Sequence, residues 1–233
     1  MIGSVGGANV GNTVDGLWGE EGNDTIVGDG GFDLLDGGAG DDLLDGGHQA
    51  DNLYGRDGND ILRGDLGLDR LFGGANDDLA EGGDGNDGLF GDGGNDSLYG
   101  EAGHDNFFGG SGDDLLSGGA DNDTLNGGSG FDTLDGGAGD DEMFGRFNAD
   151  TFVFEDGHGD DTIGDVSALN DFEKIDLRGV SALTSLGDLD LGDSGGGAAI
   201  QVGSYVVITT GLSSSITLSN VVLSDLDALD FIF

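Results

Sequence analysis

Apolar residues recur along most of this chain at a fixed interval of nine. From Gly19 to Val153 the pattern G-x-x-G-x-D-x-U-x, with U apolar, runs through fifteen consecutive copies without a slip in phase. Gly37 to Asp45, GGAGDDLLD, is a clear copy. The eighth position is large and apolar at Ile26, Leu35, Leu44, Leu53, Leu62, Leu71, Leu89, Leu98, Phe107, Leu116, Leu125, Leu134, Met143 and Phe152, and small only at Ala80. A nine-residue period does not suit an amphipathic helix, and glycine this dense costs about 1 kcal/mol per residue in a helix. The three residues around each apolar position read instead as a minimal strand whose centre points one way and whose neighbours point the other. The first six positions read as a tight turn that uses glycine for positive φ. A turn and a short strand, repeated, coil into a solenoid. Two copies complete a coil, so equivalent positions stack every eighteen residues. Two parallel sheets then face each other across a thin core.

The sixth position is Asp in every copy: Asp24, Asp33, Asp42, Asp51, Asp60, Asp69, Asp78, Asp87, Asp96, Asp105, Asp114, Asp123, Asp132, Asp141 and Asp150. Coiling stacks them in two rows at the strand spacing of about 4.8 Å. Such rows repel unless cations lie between them. Carboxylates and turn carbonyls, with no nitrogen or sulfur donor, suit a hard cation such as Ca²⁺. Asp also caps turns, but a capping role alone would admit Asn or Ser in some copies.

Composition sharpens this picture. The 233 residues carry 48 acidic against 6 basic side chains, a net charge of -42, with 53 Gly, no Pro and no Cys. A chain this acidic does not bind nucleic acid or anionic membrane by electrostatics, and needs cations to become compact. Disulfides and thiolate chemistry are excluded. No segment approaches the roughly 18 apolar residues of a membrane helix. The N-terminus lacks the basic and apolar regions of a Sec-type signal peptide.

The nonapeptide resembles the GGxGxDxUx repeat of RTX proteins, the calcium-binding parallel β-rolls of type I-secreted bacterial proteins. The resemblance implies an all-β, right-handed parallel β-roll with a C-terminal β-sandwich-like cap. It implies a Ca²⁺ ion between the turns of each copy and the next but one, held by both Asp side chains and turn carbonyls. Fifteen copies then hold roughly thirteen ions. The expected organisation is a degenerate first turn at 1–18, the roll at 19–153, and a cap with secretion signal at 154–233. Asp171 to Val180, DFEKIDLRGV, and the ending LSDLDALDFIF resemble the cap and export signal of serralysin-like and standalone RTX proteins, with export tied to Leu229–Phe233. After Val153 the phase shifts by two residues, and DGHGDDTIG (Asp156 to Gly164) is a degenerate copy with Asp161 in the carboxylate position, expected as a sixteenth metal ligand. FEKIDL, IQVGSYVVIT and SITLSNVVL read as longer strands.

Position 4 departs from Gly at Gln49, Asn76, Asp121 and Asn148; Gln tolerates a left-handed backbone poorly. The Gln49 turn should therefore hold its ions least well. The copy Gly73 to Glu81, with Asn76 and Ala80, should soften the roll locally. An outward row of Tyr54, Phe72, Phe90, Phe108, Asn126 and Phe144 recurs every eighteen residues. It either stiffens the sheet by cross-strand stacking or docks a polysaccharide or protein partner. On the opposite sheet, position 7 reads Leu43, Ile61, Leu79, Ser97 and Leu115.

Catalytic signatures are sparse. There is no HExxH, and His48, His104 and His158 read as solvated turn residues. GDSGG at Gly192 to Gly196 matches a serine nucleophile motif at Ser194 but lacks strand–turn–helix context. The expectation is a non-enzymatic, secreted calcium-binding protein, extracellular or at the bacterial surface, exported by type I machinery. The alternatives are a non-catalytic module of a secreted epimerase, protease or lipase, and a cell-surface adhesin. The Met1 start and the C-terminal signal favour a whole chain.

Overall fold

In the computed structural model, residues 4–5, 14–165, 173–181, 199–202, 205–210, 214–220, 226 and 230–233 are described. Ser194, Leu229, Asp171 and Phe172 lie outside them. All described elements are strands, arranged in two sheets of eleven and twelve. Odd-numbered strands of the repeat region fall in one sheet and even-numbered in the other, so successive copies alternate between sheets. Pairing is parallel in a register of eighteen residues, as in Leu89↔Phe107 and Leu98↔Leu116. This is the solenoid that the nine-residue period predicts, in about eight coils.

The strands are longer than the expected three residues. Between residues 34 and 147 each covers positions 7, 8 and 9 and at least the first three positions of the next copy, as in β10 (Gly88–Gly93) and β11 (Ser97–Ala102), whereas Gly16–Trp18 and Thr25–Val27 keep three residues. The turn proper is only positions 4 to 6. The position 8 side chains are 0–1% exposed from Ile26 to Phe152 and form one core across both sheets. Ala80 belongs to the same core, and β9 (Leu79–Gly85) pairs without a break with β7 (Ile61–Gly67) and β11. The softening expected at Ala80 does not show in the register.

Two positions per copy take left-handed backbone, with Gly67 the exception at position 4. At position 4 the glycines lie far out, for example Gly58 at φ 137° and Gly94 at 137°, whereas Gln49, Asn76, Asp121 and Asn148 sit at 80°, 80°, 73° and 76°. The turn thus moves toward the region that a side chain can enter, and Gln49 adopts the same conformation as Asn76. Position 2 is left-handed as well, including at Glu20, Asp29, Arg56, Asp65, Asp92, Glu101 and Arg146, with φ between 64° and 88°.

Beyond Val153 the strands continue the same two sheets. β17 (Thr151–Glu155), β19 (Lys174–Gly179) and β23 (Phe231–Ile232) prolong one in parallel. In the other, β18 (Asp160–Ile163) pairs in parallel with β22 (Ser215–Ser219), and β21 (Tyr205–Thr209) and β20 (Ala199–Val202) follow antiparallel. Among the described residues there is no separate pair of sheets. The stretch expected as one strand, IQVGSYVVIT, divides into β20 and β21.

On the outer face of the twelve-stranded sheet, Tyr54, Phe72, Phe90 and Phe108 stack face to face, with centroids 4.8, 4.6 and 5.2 Å apart and interplanar angles of 3–9°. The Arg56 guanidinium covers the Tyr54 ring at 4.9 Å and pairs with Asp36, and Arg146 covers Phe144 at 4.4 Å. The ring faces between Tyr54 and Phe108 are therefore turned to one another. Phe90→Ser removes two stacked pairs, each contributing about 0.5–1.5 kcal/mol beyond burial. The calcium-loaded chain is expected to lose about 1–3 kcal/mol in denaturant unfolding. Unchanged stability would show that the row does not stiffen the sheet.

Candidate metal centre

Stacking by eighteen residues gathers the position 6 carboxylates into two rows. Asp24, Asp42, Asp60, Asp78, Asp96, Asp114, Asp132 and Asp150 precede the strands of one sheet. Asp33, Asp51, Asp69, Asp87, Asp105, Asp123 and Asp141 precede those of the other, with Asp161, inside β18, at one end of the row and Asp15 at the other. All sixteen are buried, none more than 4% exposed.

Within a row the two oxygens of each carboxylate have different surroundings, except at Asp24, where neither has a donor. Oδ1 accepts the backbone N–H of the Asp one rung earlier: Asp78 N–H to Asp96 at 2.8 Å, Asp51 N–H to Asp69 at 2.7 Å, and so along both rows at 2.7–3.0 Å. Part of the turn-capping role weighed from the sequence is therefore present, although it reaches between coils. Oδ2 is buried without any donor in fourteen of them, from Asp24 to Asp141. An ionised oxygen buried without a partner is costly.

The position 1 glycine shows what lies beside that oxygen. A Cβ added to Gly91 would overlap Asp96 Oδ2 and the Gly109 carbonyl oxygen, and one added to Gly118 would overlap Asp123 Oδ2 and the Gly136 carbonyl oxygen. A side chain at position 1 would thus collide with a carboxylate oxygen and with a peptide oxygen from the next coil, which lie close to one another there. Such all-oxygen surroundings suit Ca²⁺, and the residues present fit the ion. Among the described residues no three His, Cys, Asp or Glu side chains are grouped to hold a metal. The donor set here is carboxylate and carbonyl instead.

The electrostatics follow from burial. It pushes the carboxyls up, to about 6 at Asp51, Asp60, Asp87, Asp96, Asp105 and Asp132. Values reach about 7 at Asp69, Asp78, Asp114, Asp141 and Asp150, and about 8 at Asp123. The N–H bond to Oδ1 opposes this, and in most of them the charge of neighbouring carboxylates adds to it.

A second ladder at position 5 is not evident from the sequence pattern. Asn23, Asp41, Asn59, Asp77, Asn95 and Asp113 each accept, through Oδ1, the backbone N–H of position 5 one rung later, at 2.8–3.3 Å. This direction is opposite to that of the position 6 ladder, so each coil is tied to the next both ways. Asn and Asp alternate, which places the charges two rungs apart. The signal was this alternation every eighteen residues, visible only once the rows are aligned. On the other edge exposed His104 joins the ladder, accepting Asn122 N–H at Nδ1, 3.0 Å. His48 is exposed, but it closes the strand Leu43–His48 instead of lying in the turn. His158 differs from the expectation: it is 4% exposed, because the two-residue phase shift folds it inward onto Asp161.

Comparison with known proteins follows the same residues. The model of the RTX calcium-binding nonapeptide repeat, in four copies, matches residues 18–53, 49–80, 81–116 and 117–152. No curated protein matches at a significant level. Among solved structures, that of the extracellular lipase LipA from Serratia marcescens is similar, at 21% identity and a TM-score of 0.36. The alignment covers 87% of this chain and 40% of the lipase, so the chain spans less than half the length of that protein. With the family model covering residues 18–152, more than half of the chain, and its repeat forming the stacked turns described above, the chain belongs to the RTX calcium-binding nonapeptide repeat family.

Proposed function

We propose that the chain is a non-enzymatic, secreted calcium-binding RTX protein that remains unfolded until it meets calcium outside the cell. The observation that carries this is the two rows of buried Oδ2 atoms without donors. Each needs a cation or a proton before the roll can close. The ligands are the Asp residues from Asp24 to Asp150, with turn carbonyls, and the ions number roughly thirteen, one for each pair of stacked turns. Without calcium, charge repulsion and glycine entropy keep the chain open. Cytosolic calcium lies far below the 10⁻⁴–10⁻³ M affinities of extracellular sites, so an open chain without Pro or disulfides is available to type I export machinery. Outside, binding free energy becomes folding free energy.

The test is a calcium titration of β content by circular dichroism, run on the full chain and on a chain ending at Val153. The full chain is expected to fold cooperatively in the 10⁻⁴–10⁻³ M range. The shortened chain is expected to need more calcium, since its final coil lacks the strands that prolong both sheets. Equal β content in chelator and in millimolar calcium would sink the proposal.

A further inference from the structure

The carboxylate row of the twelve-stranded sheet ends in a way that its repeat does not explain. Its members are eighteen residues apart up to Asp141, and the last step, to Asp161, is twenty. The extra residues lie in the segment 156–159, Asp-Gly-His-Gly, between β17 and β18. Gly157 and Gly159, at φ 91° and 100°, turn it inward. His158 is carried onto the row. Its Nδ1 meets Asp161 Oδ2, its Nε2 lies 2.6 Å from Thr210 Oγ1, and its ring packs edge-on against Phe154, with centroids 5.1 Å apart.

Asp161 Oδ1 behaves as in the rest of the row, accepting Asp141 N–H at 3.0 Å. Oδ2, the atom left without a donor in fourteen other copies, here has one from the protein. Because a carboxylate only accepts, Nδ1 carries the hydrogen. Thr210 follows β21 and donates its N–H to Ser214 O at 3.0 Å. Ser215 in turn donates N–H to Gly159 O at 2.8 Å and Oγ–H to Asp160 Oδ1 at 2.7 Å. One side chain therefore satisfies the last carboxylate and ties the β21–β22 hairpin to the roll.

Resting on the assignment of the rows as ion sites, we propose that His158 ends the calcium row: the Asp161 rung takes a protein donor where the other rungs take an ion, and it docks the C-terminal hairpin without calcium. The sixteenth carboxylate is thus a structural acceptor.

The test counts bound calcium by native mass spectrometry on the full, calcium-saturated chain. Asp96→Asn, in mid-row, is expected to lower the count. Asp161→Asn is expected to leave it unchanged, and His158→Ala to raise it by one. A fall with Asp161→Asn equal to that with Asp96→Asn would overturn the proposal, and this comparison decides it even where His158→Ala fails to fold. A count that Asp96→Asn does not lower would instead overturn the assignment of the rows as ion sites.

Discussion

In the presence of chelator the chain is expected to be unfolded at pH 7.5 and to gain β structure as the pH falls toward 5. The row carboxyls are no more than 4% exposed, and burial raises a group such as Asp114 from the ordinary 3.8 to about 7. The metal-free folded state therefore binds more protons than the unfolded chain between about pH 4 and 8, and its stability falls as pH rises through that window. Above pH 7 one such group disfavours the folded state by roughly 4 kcal/mol. A few of them outweigh the 5–15 kcal/mol by which a domain is ordinarily stable. Protons can stand in for calcium only at low pH, where each neutralises one Oδ2. In millimolar calcium the trend reverses, because protons compete with the ion for the same oxygens. Far-UV circular dichroism and sedimentation at pH 5, 6 and 7.5, with and without chelator, measure both arms. Metal-free β content independent of pH would contradict the assignment of the rows as the source of the instability.

The second large effect separates calcium binding from turn capping at one residue. Asp96→Asn keeps an Oδ1 able to accept the Asp78 N–H and removes the charge that Oδ2 shares. In calcium the variant is expected to be less stable. An ion at a hundredfold excess over its Kd stabilises by about 2.7 kcal/mol, and at least one is lost. In chelator at pH 7.5 the same change is expected to favour the folded state, since it removes a buried charge. Opposite signs in the two conditions identify an ion ligand. A cap alone predicts a gain in both conditions, because the hydrogen bond survives and a buried charge is removed in each. Urea titrations in calcium and in chelator read the two signs.

Much of this was legible in the residues because the repeat is strict. The phase fixes which residues face inward, and the position 8 residues from Ile26 to Phe152 are all in the core. The Asp at position 6 lies in the stacked rows, and the glycine at position 4 marks a left-handed turn. Position 2 was harder to read. It is Gly in some copies and a charged residue such as Arg56 or Asp65 in others, which average out in a nine-residue pattern, yet it is left-handed throughout. The expected penalty at Gln49 did not appear as a different backbone, because the turn shifts its φ toward the region open to a side chain.

By itself the sequence determined the period, the parallel stacking, the identity of the core and the gathering of carboxylates, since each follows from local geometry repeated without error. Tertiary structure decided which oxygen of each carboxylate is used. Only when rungs lie one above another does the Asp78 N–H reach Asp96 Oδ1 and leave Oδ2 without a donor. It also decided that His158, three residues before Asp161 in the chain, is buried, because its second partner, Thr210, lies 52 residues away. Contacts between coils depend on register, and register is a property of the folded roll that no single repeat contains.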